Sequence, residues 1–244
     1  VTGRQQRMID RAEGENTSDK RKNSVAVSLD NSALDTFAGG GRTTWQVEFV
    51  AGQLDLKGNE AAFSQDQQTY KTHGSFQKMS VSGSRTQRLT DRTTFYGRFT
   101  GQYTNENLDS SEQLSLGGLA GVRGYPGGEA GGDNAAILQL ELRQSWPVTL
   151  PGNTSVSSQI FFDAGWVQLR EDPGDLLLDT ATERNQYTLH GAGLGLTLST
   201  PGALRINAVL GRSLGDNPGR SVDGTNADGE TDSTQFYLQA SARF

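Results

Sequence analysis

The chain has 244 residues, of which 22 are basic and 28 acidic, so its net charge of −6 argues against a generic nucleic-acid binder. Only 33% of residues are apolar, mean hydropathy is −0.58, and the 31 glycines far exceed an average usage of roughly 7%; neither a bundle of membrane helices nor a rich soluble core has this profile. No run of about 18 apolar residues is present, cysteine is absent and the two histidines, His73 and His190, stand far apart, so we expect no spanning helix, no disulfide or thiolate chemistry, no metal and no cofactor.

The chain opens on Val1 and a polar run, GRQQRMIDR at residues 3–11, which has the look of the tail of an element and suggests a fragment of something longer. Val25, Val27 and Leu29 mark a first strand, and after a moderate connection over 31–42 Trp45, Val47 and Phe49 mark the next. A long connection over 57–72 leads to a segment over 73–83 whose alternation breaks at Lys78 and Met79, which predicts a strand with a bulge. A short connection over 86–92 precedes a strand that sets Phe95, Phe99 and Tyr103 opposite Tyr96, Arg98, Thr100 and Gln102. The longest connection, 105–135, then runs into a strand with Leu138, Leu140 and Leu142 opposite Gln139, Glu141 and Arg143.

Beyond a moderate connection over 147–155 comes FFDAGW at 161–166, then a long connection over 170–186. The next strand places Leu194, Leu196 and Leu198 opposite Gly191, Gly193 and Gly195. A short connection over 200–202 leads to Leu204, Ile206, Ala208 and Leu210 opposite Arg205, Asn207 and Val209. After a long connection over 215–233 the last strand carries Phe236, Leu238, Ala240, Ala242 and Phe244 on one face.

Period 2 throughout means an all-β chain, and connections that alternate between short and long have the pattern of an antiparallel up-and-down outer-membrane barrel. A face that is charged or small opposes a greasy one in each strand, which fits lumen against lipid and explains the low hydropathy. A soluble β-sandwich would also alternate, but would carry long polar loops at both ends. About nine strands are counted, with the tail of a tenth before Asp10; since an open edge cannot stand in lipid, we expect the chain, 1–244, to be the C-terminal part of a larger barrel, a probable sixteen strands by the resemblance below.

Connection 105–135 carries SSEQLSLGG at 110–118, VRGY at Val122, Arg123, Gly124 and Tyr125, and a GGD ending at Asp133. Phe161, Asp163 and Gly165 form an F-x-D-x-G pattern. Together these residues resemble the transporter subunit of two-partner secretion systems (TpsB, the hemolysin-activator group), a branch of the Omp85 superfamily. The resemblance implies a sixteen-stranded barrel preceded by two POTRA domains and a plug helix, none of which is visible in this sequence. It implies that the long connection is loop six, folded back into the pore with Arg123 paired to Asp163. Alternation adds Glu141 and Arg143 to the same lumen face, as a network or as a solvated ladder. The terminal Phe244 resembles the signal by which such barrels are handed to their assembly machinery.

Two motifs point toward enzymes and are set aside. GRSLG at 211–215 satisfies G-x-S-x-G, but no helix or later histidine follows it. GAGLG at 191–195 lacks the third glycine of a dinucleotide loop, and the acidic run at 223–232 departs from calcium-loop spacing. The expectation is a non-enzymatic outer-membrane channel whose partners are an unfolded exoprotein client, outer-membrane lipid and the barrel assembly machinery, with no nucleic acid. An Omp85 assembly factor and a passive diffusion pore are the alternatives.

Overall fold

The computed structural model describes residues 1–12, 15–150, 154–174, 178, 180–200 and 204–242. Ten strands form one antiparallel sheet in chain order: β1 (Thr2–Ala12), β2 (Glu15–Asp35), β3 (Gly41–Asp55), β4 (Gly74–Arg88), β5 (Thr93–Tyr103), β8 (Asn134–Leu150), β9 (Thr154–Gln168), β10 (Gln186–Ser199), β11 (Leu204–Ser213) and β12 (Thr234–Ala242). Two short strands, β6 (Leu114–Ser115) and β7 (Gly131–Gly132), pair with each other inside the longest connection, and α1 (Glu60–Gln68) lies between β3 and β4.

Register explains the hydropathy pattern. Val27 faces Phe49, Phe49 faces Met79, Phe162 faces Leu140, Ile160 faces Leu194, Leu194 faces Leu210 and Leu210 faces Phe236, so one face carries rows of large apolar side chains from strand to strand. Most of these side chains are exposed, and an exposed apolar band of this extent is what a lipid-facing wall requires. The strands are 9 to 21 residues long, enough to span a bilayer at a tilt that needs roughly 9–11.

Three details differ from the expectations above. The polar run near the start is a complete strand of 11 residues, paired to β2 from Thr2↔Ala26 onward, so the sheet has ten strands rather than nine. β4 keeps an unbroken register through Lys78↔Val50 and Met79↔Phe49, with no bulge: Lys78 lies on the polar face and Met79 on the apolar one. β2 runs to Asp35 and β8 to Leu150, which shortens two connections that appeared moderate. Phe244 lies outside the described residues.

Packing follows from this geometry. A single sheet has no second layer, and its largest buried apolar cluster forms where the connection between β5 and β8 lies on the polar face. Leu116, Val122 and Tyr125 of that connection are buried with Ala135 and Ile137 of β8, Val167 of β9, and Tyr187 and Leu189 of β10.

Candidate functional site

The connection over 104–133 folds on itself before it meets the sheet. Gly118, at φ +95° in the region where side chains are strained, allows the turn that returns Val122 N–H to Leu116 O at 2.7 Å. Gly118 N–H donates to Tyr125 O at 3.0 Å, and Leu116 and Gly117 N–H both donate to Glu129 O. The tip is thereby a compact unit that presents Arg123 to the sheet.

Arg123 is 3% exposed and Asp163, on β9, is fully buried. The guanidinium donates from Nε to Asp163 Oδ2 at 2.8 Å and from Nη2 to Oδ1 at 2.7 Å, and the backbone N–H of Arg123 adds a third bond to Oδ2 at 3.0 Å. Nη1 donates to Glu141 Oε1 at 2.6 Å, whose Oε2 accepts from Arg143 Nε at 2.6 Å. The Arg123 guanidinium carbon lies over the Phe161 ring, 3.6 Å from its centre, and that of Arg143 over the Tyr96 ring at 4.1 Å. Two cations and two anions balance, which is the condition for holding charge away from water. A fork of donors on a carboxylate also fixes direction, which a lysine would not.

The wall under the tip is cut away to receive it. A carbon added at Gly211 of β11 would run into the carbonyl of Arg123, and one at Gly124 into the backbone of Arg212 and Ser213. Carbons at Gly165 and Gly191 would come within 3.0 and 3.1 Å of Val122. Tyr237 of β12 donates its hydroxyl to Tyr125 O at 2.7 Å. The loop tip thus touches five consecutive strands.

This constellation can be set against known proteins. The pattern of the family described as haemolysin secretion/activation protein ShlB/FhaC/HecB matches residues 4–198. The chain belongs to this family. The heme/hemopexin transporter protein HuxB of Haemophilus influenzae strain 86-028NP is 27% identical over 218 residues, covering 89% of this chain and 37% of HuxB. The outer membrane transporter CdiB of Escherichia coli strain 536 is 34% identical over 127 residues, covering 51% of this chain and 20% of that one. The solved structure of CdiB from Escherichia coli superposes with a TM-score of 0.67 at 25% identity, covering 93% of this chain and 38% of CdiB. The chain covers 20% to 38% of the length of these relatives, and the ShlB/FhaC/HecB family places it in the bacterial outer membrane.

Several residues of this ShlB/FhaC/HecB-family site have contacts that a reading of sequence does not assign, even where, as with the GGD ending at Asp133, the residue itself belongs to a motif. Asp133 is fully buried at the loop's base, where it accepts from Leu108 N–H at 3.1 Å, Gln113 Nε2 at 2.8 Å and Glu171 N–H at 2.9 Å. Burial pushes its carboxyl above the ordinary range against the pull of Gln113, Glu171 and Arg170. Glu129, buried near the tip, accepts from Asn217 Nδ2 at 2.8 Å and Ala227 N–H at 2.7 Å and so ties the tip to the connection over 214–233. Lys20, Lys22 and Lys78 meet Asp109 and Glu112 on the limb that leads to the tip. A sequence signal for the docking wall exists in retrospect: Val167, Leu189 and Val209 are apolar at positions whose parity belongs to the polar face. GRSLG ends β11, with Ser213 Oγ donating to Ser233 O at 3.3 Å.

Proposed function

We propose that the chain forms the C-terminal part of an outer-membrane barrel that secretes an unfolded partner protein, with 104–133 folded into the pore as loop six and no catalytic activity of its own. The observation that carries this reading is the buried pairing of Arg123 with Asp163, because it spends a charged tip and a glycine-lined wall on holding a loop rather than on lining a free conduit. HuxB is described as a heme/hemopexin transporter and CdiB as an outer membrane transporter, which supports transport as the activity and a secreted protein as the client. The apolar face of β12, with Phe236 and Leu238, is the surface this reading offers to lipid and to the machinery that inserts barrels.

With the tip docked, the polar face below it carries Arg98, Gln139, Arg143, Ser157, Gln159, Arg205 and Asn207, around a cavity of about 350 Å³. Such a surface offers hydrogen bonds to an extended backbone and little apolar grip, which suits passage rather than retention. The test is export: Arg123→Ala and Asp163→Ala are placed in the full-length protein and the secreted client is measured. Loss of export at normal barrel levels is expected, and wild-type export would remove the proposed role.

A further inference from the structure

The tip is not the sole place where the loop is held by charge. Lys20 and Lys22 stand on β2 and Lys78 on β4, all at positions facing the polar side of the sheet. Lys20 Nζ donates to Asp109 Oδ2 at 2.6 Å. Lys22 donates to Ser111 Oγ at 3.2 Å and pairs with Glu112 Oε1. Lys78 Nζ lies 2.8 Å from Glu112 Oε2 and donates to the carbonyl of Glu112 at 2.7 Å and to Gln102 Oε1 at 3.2 Å. Leu108, just before these residues, is buried against Val50 and Phe76.

Three cations face two anions here, and Arg4 of β1 and Glu48 of β3 line the same cavity, of about 410 Å³, beside the cluster. The lysine side chains are 23%, 5% and 13% exposed, in the order Lys20, Lys22, Lys78. Lys22, Lys78 and Glu112 border this cavity and Lys20 and Asp109 a neighbouring one of about 470 Å³, whereas Asp163, the main partner of Arg123, is fully buried and Phe161 lies against the guanidinium. An ammonium on a flexible stem is a point charge without directional grip, and an ion pair in contact with water weakens as salt screens it. The two anchors therefore differ in kind. The limb over 109–112 crosses to β2 and β4, so that detaching it would uncover the cavity and the polar faces of β2 and β3 while leaving the tip's own contacts intact.

We propose that Asp109 and Glu112, gripped by Lys20, Lys22 and Lys78, are positioning residues that hold the loop's ascending limb across β2–β4 and form the releasable half of the closure, opening while Arg123 stays docked. This rests on the reading that the loop occupies the pore. The test uses the full-length protein in planar bilayers, with the frequency of opening as the readout. Asp109→Asn combined with Glu112→Gln is expected to open several-fold more often, and to lose the dependence on KCl expected of the wild type between about 0.1 and 1 M, where the screening length falls from about 10 to about 3 Å. Asp109→Lys is expected to open more often as well, and adding Lys20→Asp to return it toward wild type, a rescue that a merely structural carboxylate would not give. The charge exchange supplies the answer if the neutral variant fails to fold. Wild-type frequency and salt response in the neutral variant, or no rescue by the exchange, would overturn the proposal. These recordings need no client, so a negative result removes the limb anchor and leaves the transporter reading standing; loss of client export is scored separately.

Discussion

The two halves of the polar face receive the same loop in opposite ways. Along β8–β11 the positions beneath the tip are Ala135, Ile137, Val167, Leu189, Gly191 and Gly211, small or apolar, and the tip lies on them close enough that an added carbon would collide. Along β2–β4 the corresponding positions include Lys20, Lys22 and Lys78, and the limb meets them through carboxylates beside a water-accessible cavity. One half holds by shape and a charge pair around the fully buried Asp163, the other by lysine–carboxylate attraction beside the apolar contact of Leu108. The alternation of each strand is the same in both. What sits on the inward positions decides whether the contact is specific or releasable.

The largest expected effect comes from breaking the sealed half. Asp163→Ala leaves Arg123 buried with only Glu141 to accept its protons, and removing one partner of a buried pair costs about 3–5 kcal/mol. The measurement is the denaturant midpoint of the folded protein in detergent, and the Arg123→Ala, Asp163→Ala double variant should lose clearly less than the sum of the single losses. Additive losses would show that the two residues do not act as a unit.

A smaller effect sharpens the comparison by shape alone. Gly211→Val places atoms against the carbonyl of Arg123, which belongs to backbone and cannot step aside, so a cost of about 1–3 kcal/mol and a loop tip newly open to protease are expected. Gly195→Ala, on β10 but away from the tip, meets the side chain of Gln159 at 2.8 Å, and that side chain can swing clear. Equal losses from the two would argue that the tip does not rest on the glycines.

Legibility in the sequence divides along the same line. The apolar rows were readable because lipid demands alternation, and Arg123, Asp163, Glu141 and Gly165 were readable because strand parity and the VRGY and F-x-D-x-G patterns put them on one face. β1 was not, since both of its faces are polar and its pairing with β2 rests on backbone register that leaves no hydropathic trace. Lys78 looked like a break in β4 because its apolar neighbours made a charge appear misplaced, whereas it answers Glu112, 34 residues on. Lys20 answers Asp109 across 89 residues. No local pattern announces a partner at that distance, so the limb anchor could be found only once the strands were laid side by side.

The smallest effect concerns the lysine-held half and its response to acid. Burial alone would raise the carboxyls of Asp109 and Glu112. The hydrogen bonds and charges of Lys20 and Ser111 at the first, and of Lys22 and Lys78 at the second, outweigh it and hold both below the ordinary carboxylate range. A carboxyl lowered on folding contributes stability that is whole above its unfolded value, about 4, and is lost as pH falls through the folded value. Asp133 at the loop's base is shifted upward, so it takes its proton at higher pH, and ionising it is what costs the fold. The groups facing the limb include Lys20 and Lys22 from β2, Lys78 from β4, Arg4 from β1, Glu48 from β3, Asp66 and Tyr70 from the connection between β3 and β4 and, beside Leu108, Arg170. Opening frequency in bilayers should therefore stay level from neutral pH to about 5 and climb only below about 4. The climb should vanish in the Asp109→Asn, Glu112→Gln variant. A climb that begins between neutral pH and about 5, or one that survives in that variant, would show that the lysine-bound carboxylates do not control opening.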